Sequence, residues 1–173
     1  MQHTLKSIRS LVRAGCLTVS ALVFASAASA ESEVDVKDGV AAQGYDVVAY
    51  FTEGKPVEGN ASHSTVHEGA TYHFASKANL EQFASNPGKY APQYGGYCAF
   101  GTAMGRKFSG DPLVWTIRDD KLYLNLNEGV KARWSEDIPG FIRGADNNWP
   151  LIRSLADSSL ASSAPAGVTQ GAQ

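Results

Sequence analysis

The chain has 173 residues, 17 of them acidic and 15 basic, and 43% are hydrophobic. A formal charge of −2 is the wrong sign for a nucleic-acid binder, which relies on clustered Lys and Arg. The length suits one domain, and at roughly 150 residues a domain buries about 70% of its unfolded surface and needs no disulfide scaffold.

Residues 1–30 have the order of a cleaved secretory signal peptide. Lys6, Arg9 and Arg13 come first, an apolar run follows over 14–25, and Ala28-Ser29-Ala30 closes it with small residues two apart. That run is shorter than the ~20 apolar residues a bilayer crossing needs. No other stretch is apolar enough, so no transmembrane segment is expected. Cys16 does not read as a lipid anchor, because Arg13 stands where an aliphatic residue is required and the apolar run follows the cysteine. Removing residues 1–30 leaves 143 residues, all 17 acidic and 12 of the 15 basic side chains, for a formal charge of about −5. The expected location is periplasmic or secreted. The mature chain keeps one thiol, Cys98, so it can form no intrachain disulfide.

Residues 31–43 are polar and read as a flexible segment, and the domain proper is expected over 44–156. Asp46 reads as the cap of a short helix over 47–51. Glu68-Gly69 separates His63–His67 from Ala70–Ala75 as a hairpin, with Tyr72 and Phe74 on one face and His73 on the other. Ser76 caps a helix carrying Leu80, Phe83 and Ala84, which stops at Asn86-Pro87 because the residue before Pro avoids the α region. Gly95-Gly96 breaks the chain before a short helix over 97–103. A second hairpin turns at Asp119-Asp120. A two-residue loop pairs Ile117 with Leu122 and Trp115 with Leu124, and puts Leu126 on the same apolar face. Asn127 caps a helix with Val130 and Trp134. Ile138-Pro139 ends it, and Pro139 opens another through Phe141 and Ile142. Residues 157–173 are rich in Ser, Ala and Gly and read as a disordered tail. Local hairpins with helices between them give an α+β fold in one compact domain. The three tryptophans, Trp115, Trp134 and Trp149, are expected in the core.

The run Tyr72-His73-Phe74-Ala75-Ser76, with Asn79, Phe83, Pro87 and Tyr90, resembles the YHS domain. The metal-associated form of that pattern reads Tyr-x-Phe-Cys-Ser-x-x-Cys-x-x-x-Phe-x-x-x-Pro-x-x-Tyr. Phe74, Ser76, Phe83, Pro87 and Tyr90 fall at matching positions. A secreted, single-domain subgroup is resembled more fully, through Gly44-Tyr-Asp-Val-Val-Ala-Tyr-Phe51, Asn86–Ala99, Leu122–Asn125 and Ala145–Pro150. The two cysteines of the metal-associated form are replaced by Ala75 and Asn79, and its upstream cysteine has no counterpart in 44–51. A closed thiolate site is thereby excluded by counting.

The resemblance implies a binding or accessory module, with a metal ion or small ligand as partner. Cys98 is the one soft anionic donor left, and His73 lies inside the signature. Together they are the metal candidates, for Cu or Zn rather than Mg or Ca. His63 and His67 share a strand face but stand about 13 Å apart at ~3.3 Å per residue, too far for one metal on a regular strand. Tyr72, Tyr94 and Tyr97, with Cys98, are the ligand-binding candidates, and Tyr90 lies near them in sequence. The tyrosines either line a pocket or close a core with their hydroxyls bonded at its margin. Cys98 is either a thiol activated at a helix N-terminus or a buried small hydrophobe. No catalytic signature is present, and Asp119-Asp120 is a turn. Two other readings stand beside ligand binding: a structural or protein-interaction module with a buried cysteine, and a thiol-based redox role. Intact mass of the exported protein checks the processing. The chain should begin at Glu31, and retention of residues 1–30 or a lipid on Cys16 would sink that reading.

Overall fold

The computed structural model describes residues 32–156 and Leu160. The signal-peptide span, Cys16 and most of the expected tail lie outside the described residues. No helix among the described residues is long and apolar enough to cross a membrane.

The chain opens with two short strands, β1 (Val36–Lys37) and β2 (Val40–Ala41), then a 3-10 turn over Ala42–Gly44 and the short helix α1 (Ala49–Thr52). A hairpin follows, β3 (Asn60–His67) and β4 (Ala70–Phe74), then α2 (Lys77–Ser85), α3 (Pro87–Tyr90), a 3-10 turn over Gln93–Gly96 and α4 (Ala99–Ala103). The second hairpin, β5 (Asp111–Arg118) and β6 (Lys121–Asn125), leads to α5 (Glu128–Glu136) and α6 (Ile138–Ile152). One sheet has the order β1-β2-β4-β3, with β2 parallel to β4, and the other is β5-β6 alone. The fold is α+β, as expected.

Both hairpin turns have two-residue geometry, read from the sequence at Asp119-Asp120 and left open against a three-residue turn at Glu68-Gly69. Glu68 and Gly69 lie at φ +49° and +78°, Asp119 and Asp120 at +51° and +55°. Two successive positive φ values match the right-handed twist of the strands they join. The registers are His67↔Ala70 in the first hairpin, and Ile117↔Leu122 with Trp115↔Leu124 in the second. Ser76 and Asn127 cap α2 and α5 by accepting the N–H of Asn79 and Val130. Pro139 sits in the first turn of α6, capped by Asp137.

Strand β6 is buried on both faces, where one apolar face was expected. Leu122 and Leu124 pack into a first core with Val47, Val48, Tyr50, Phe74 and Phe83. Tyr123 points the other way, into a second core with Tyr94, Trp134 and Ala145. Helices α4, α5 and α6 cover that second face, so alternation along β6 feeds two cores instead of one. Leu126 departs from the expected apolar face. The strand ends at Asn125 and Leu126 is 41% exposed, because the chain turns there toward the Asn127 cap and leaves the pleat.

Residues 31–43 also depart from expectation, since the described part is packed. Val34 is buried, and the Asp35 N–H bonds the Gly95 carbonyl at 2.9 Å. The Asp35 carboxylate accepts from the Ser109 hydroxyl and the Gly110 N–H. The residues that looked polar in sequence satisfy the backbone of two loops. At Leu160 the tail is packed as well: the side chain is buried and its N–H bonds the Ala156 carbonyl. A leucine with a core to reach need not follow the composition around it.

Trp134 is fully buried, whereas Trp115 and Trp149 are half-buried at the rims of the two cores. Trp134→Ala should therefore cost about 3–5 kcal/mol, and Trp115→Ala distinctly less. Urea unfolding of the two variants checks the order, and equal losses would mean the second core is not closed.

Candidate functional site

The sequence pointed first to Cys98. It is the N-cap of α4, 1% exposed, and its sulfur accepts the Gly101 N–H at 3.4 Å. The thiol faces Asn125 Oδ1 at 3.7 Å, and the same oxygen accepts the Phe100 N–H. Burial raises the Cys98 pKa, and the N–H groups of Gly101, Leu126 and Phe100 oppose the shift without reversing it. Of the two readings left open for Cys98, this favours the buried small hydrophobe over the activated thiol. Desolvation of the charged form outweighs N–H donors supplied by a helix of only five residues. The Nδ2 of Asn125, also buried, has no partner.

His73 stands elsewhere. It lies on the outer side of β4, opposite Ser64, and borders a cavity of about 260 Å³ with Lys37, Asp38, Val40, Gln43 and Gly44. The bonds of Cys98 run instead to α4, β6 and the loop before β5. His67 lies on the opposite face of the hairpin from His73, against the rings of Tyr72 and Phe83. His63 keeps a buried Nδ1 without a partner. Among the described residues, no group of three or more His, Cys, Asp or Glu side chains is placed to hold a metal.

The tyrosines divide between the two cores. Tyr72 is buried in the first, its ring centroid 4.8 Å from that of Phe83. Tyr90 is in the same core and bonds Gln82. Tyr97 donates to the Ser32 carbonyl at 3.0 Å, and its ring lies under the Lys107 ammonium at 4.5 Å. Lys107 is itself buried and donates to the carbonyls of Ser32, Arg153 and Leu155. Those contacts fasten both ends of the described chain to one side chain. Gly95-Gly96 does admit a close neighbour, as paired glycines can, but the neighbour is the chain itself. A Cβ at Gly95 would collide with the Glu33 carbonyl.

Of the candidate tyrosines, Tyr94 lines an open cleft. Its hydroxyl donates to Asp146 Oδ1 at 3.0 Å. Burial, then the bond to Asp146, raises its pKa far above the ordinary tyrosine value, so it remains a donor. The cleft has a volume of about 300 Å³ and includes His67, Glu68, Pro92, Asp146 and Trp149 in its lining. The rings of Tyr94 and Trp149 meet edge to face at 6.1 Å. The segments 86–99 and 145–150, far apart in sequence, form its two walls. A larger cavity of about 400 Å³ lies by Tyr45, Gly110, Leu113 and Leu126, with fewer convergent functional groups. Sequence reasoning missed Asp146, Trp149 and His67 as partners of one site. Their shared signal was the quoted Ala145–Pro150 segment, which carried no chemistry until it stood beside Tyr94.

Comparison with known proteins bears on the middle of this arrangement. Residues 48–94 match the family model of the YHS domain. The match runs from α1 to Tyr94 and ends short of Cys98. No curated protein matches the chain, and no solved structure does.

The metal implied by one form of the YHS pattern does not fit this segment. Position 75 presents a backbone N–H and position 79 an amide N–H, and both point at Asp46 Oδ2, at 2.8 and 2.7 Å. Those groups are donors, and a metal needs lone pairs. The Cys98 thiol gives the next prediction. Its folded-state pKa is raised, so little thiolate forms at neutral pH. A thiol reagent should label the native protein far more slowly than the urea-unfolded chain at pH 7. Equal rates would return Cys98 to the list of reactive groups.

Proposed function

We propose that the protein is an extracytoplasmic YHS-type binding or accessory module. In this reading its ligand is a small organic molecule held in the Tyr94–Asp146–Trp149 cleft. The observation that carries the proposal is the meeting of the two signature segments, 86–99 and 145–150, at one opening. Aromatic walls with a few placed polar groups are the usual make-up of a small-molecule site. The reading from sequence placed the ligand near Cys98. Burial of that thiol favours the cleft instead.

The lining favours one class of ligand. Glu68 and Asp146 contribute carboxylates, and no Lys or Arg is among the lining residues. Asp146 is oriented by the Tyr94 hydroxyl, so one of its oxygens is held at a fixed angle. Trp149 offers an aromatic face, and indole is the strongest side-chain partner for a cation. A ligand with an apolar body and a protonated amine matches these groups. An anionic ligand of the same shape would meet two like charges.

Calorimetric titration with phenethylamine and phenylacetate separates charge from shape. The amine should bind at least about tenfold more tightly than the acid, a difference of roughly 1.4 kcal/mol. Asp146→Asn should remove that preference while leaving the fold intact. Absence of binding by both compounds, with no change in Trp149 emission, would remove the cleft reading.

A further inference from the structure

The buried carboxylate of Asp46 occupies the ground on which the YHS metal pattern places its cysteines. Asp46 is 0% exposed. One oxygen accepts the N–H groups of Val48 and Ala49, at 2.9 and 3.3 Å. The other accepts the Ala75 N–H at 2.8 Å and the Asn79 amide at 2.7 Å. A carboxylate offers about four lone-pair sites, and here each has an N–H directed at it. No oxygen lone pair remains for a cation.

We infer that Asp46 acts as an anionic clip in place of a metal, so that this YHS segment holds its shape without one. The electrostatics at the locus are inverted. Thiolates present negative charge inward and need a cation between them. Three backbone N–H groups and one amide present positive dipole ends inward and need an anion. The mechanical result is the same, because one centre ties α1, the end of β4 and the start of α2. Asn79 is the residue that completes the exchange. It is buried, it takes the position of the second cysteine, and its side chain supplies a donor where that cysteine would supply a ligand. Ala75 contributes through its backbone alone, so its side chain need carry no function, and its methyl is exposed. The inference is independent of what binds in the Tyr94 cleft.

The test uses the untagged mature protein. Its zinc and copper content as purified should be negligible. Zn(II) or EDTA should leave the thermal midpoint unchanged. Asp46→Asn keeps the size of the side chain but turns one acceptor into a donor. Asn79 can answer by turning its amide, whereas the Ala75 N–H cannot. The midpoint should fall by about 5 °C or more. The exchanged pair, Asp46→Asn with Asn79→Asp, restores a carboxylate to the locus and should recover part of that loss, since the bond to position 79 is repaired while the Ala75 N–H keeps its mismatch. If Asp46→Asn does not fold, Asn79→Ala, which removes one donor, serves as the milder variant and should also lower the midpoint. A Zn(II)-dependent rise that vanishes in Asp46→Asn or Asn79→Ala but persists in Asp146→Asn would overturn the inference. So would full stability in Asp46→Asn. A rise abolished only by Asp146→Asn would mark metal in the cleft and leave the clip standing.

Discussion

Burying a carboxylate is costly unless donors replace its water, and the donors around Asp46 come from three separate elements. The N–H groups of Val48 and Ala49 exist as a pair only because α1 begins there. The Ala75 N–H is free to reach Asp46 because β4 ends at Phe74. The Asn79 amide arrives because Ser76 caps α2 and fixes its first turn. Each local feature supplies part of one coordination shell. The first core, with Val47, Val48, Phe74 and Phe83, closes directly beside it. Apolar burial drives that core together without direction, and the bonds to Asp46 give it a register.

The second hairpin sets the relation between the two halves of the molecule. A strand has two faces, and β6 uses both: Leu122 and Leu124 look into one core and Tyr123 into the other. Tyr123 packs on Trp134 with ring centroids 5.5 Å apart, and burial pushes its pKa up to about 12. Helix α6 then lies against α4, and the Asn148 amide donates to the carbonyls of Thr102 and Ala103 at the end of α4. That contact brings Asp146 and Trp149 to the edge of Tyr94. The cleft is therefore a consequence of α6 docking. It lies at the C-terminal limit of the YHS match, in contact with α6, which lies beyond it.

Cys98 illustrates how a residue can be prominent in sequence and quiet in structure. It is the sole thiol of the mature chain expected here, and it stands at a helix start. Yet it is sealed between α4 and β6, where burial outweighs the N–H groups that would stabilise a thiolate. The aromatic cleft shows the reverse. Asp146 and Trp149 are ordinary as single residues, and only the fold sets them beside Tyr94.

The sequence by itself determined the local structure. The turn signals at Glu68-Gly69 and Asp119-Asp120, the caps at Ser76 and Asn127 and the stops at Pro87 and Pro139 depend on residues within a few positions of each other, and the turn at Asp119-Asp120 sets the pairing of Trp115 with Leu124. The YHS resemblance over the middle of the chain was legible for the same reason, since its spacing is local. Only the tertiary structure decided the matters that depend on distant segments. It buried Cys98 and turned its pKa upward, and it packed the polar stretch around Val34 and Asp35 into the groove beside Gly95. It gave β6 two buried faces. It also showed that Asp46, legible as a helix cap, spends its second oxygen on Ala75 and Asn79. Short-range dihedral and capping preferences are written along the chain, whereas desolvation and hydrogen-bond completion depend on which remote groups arrive, and those the fold alone supplies.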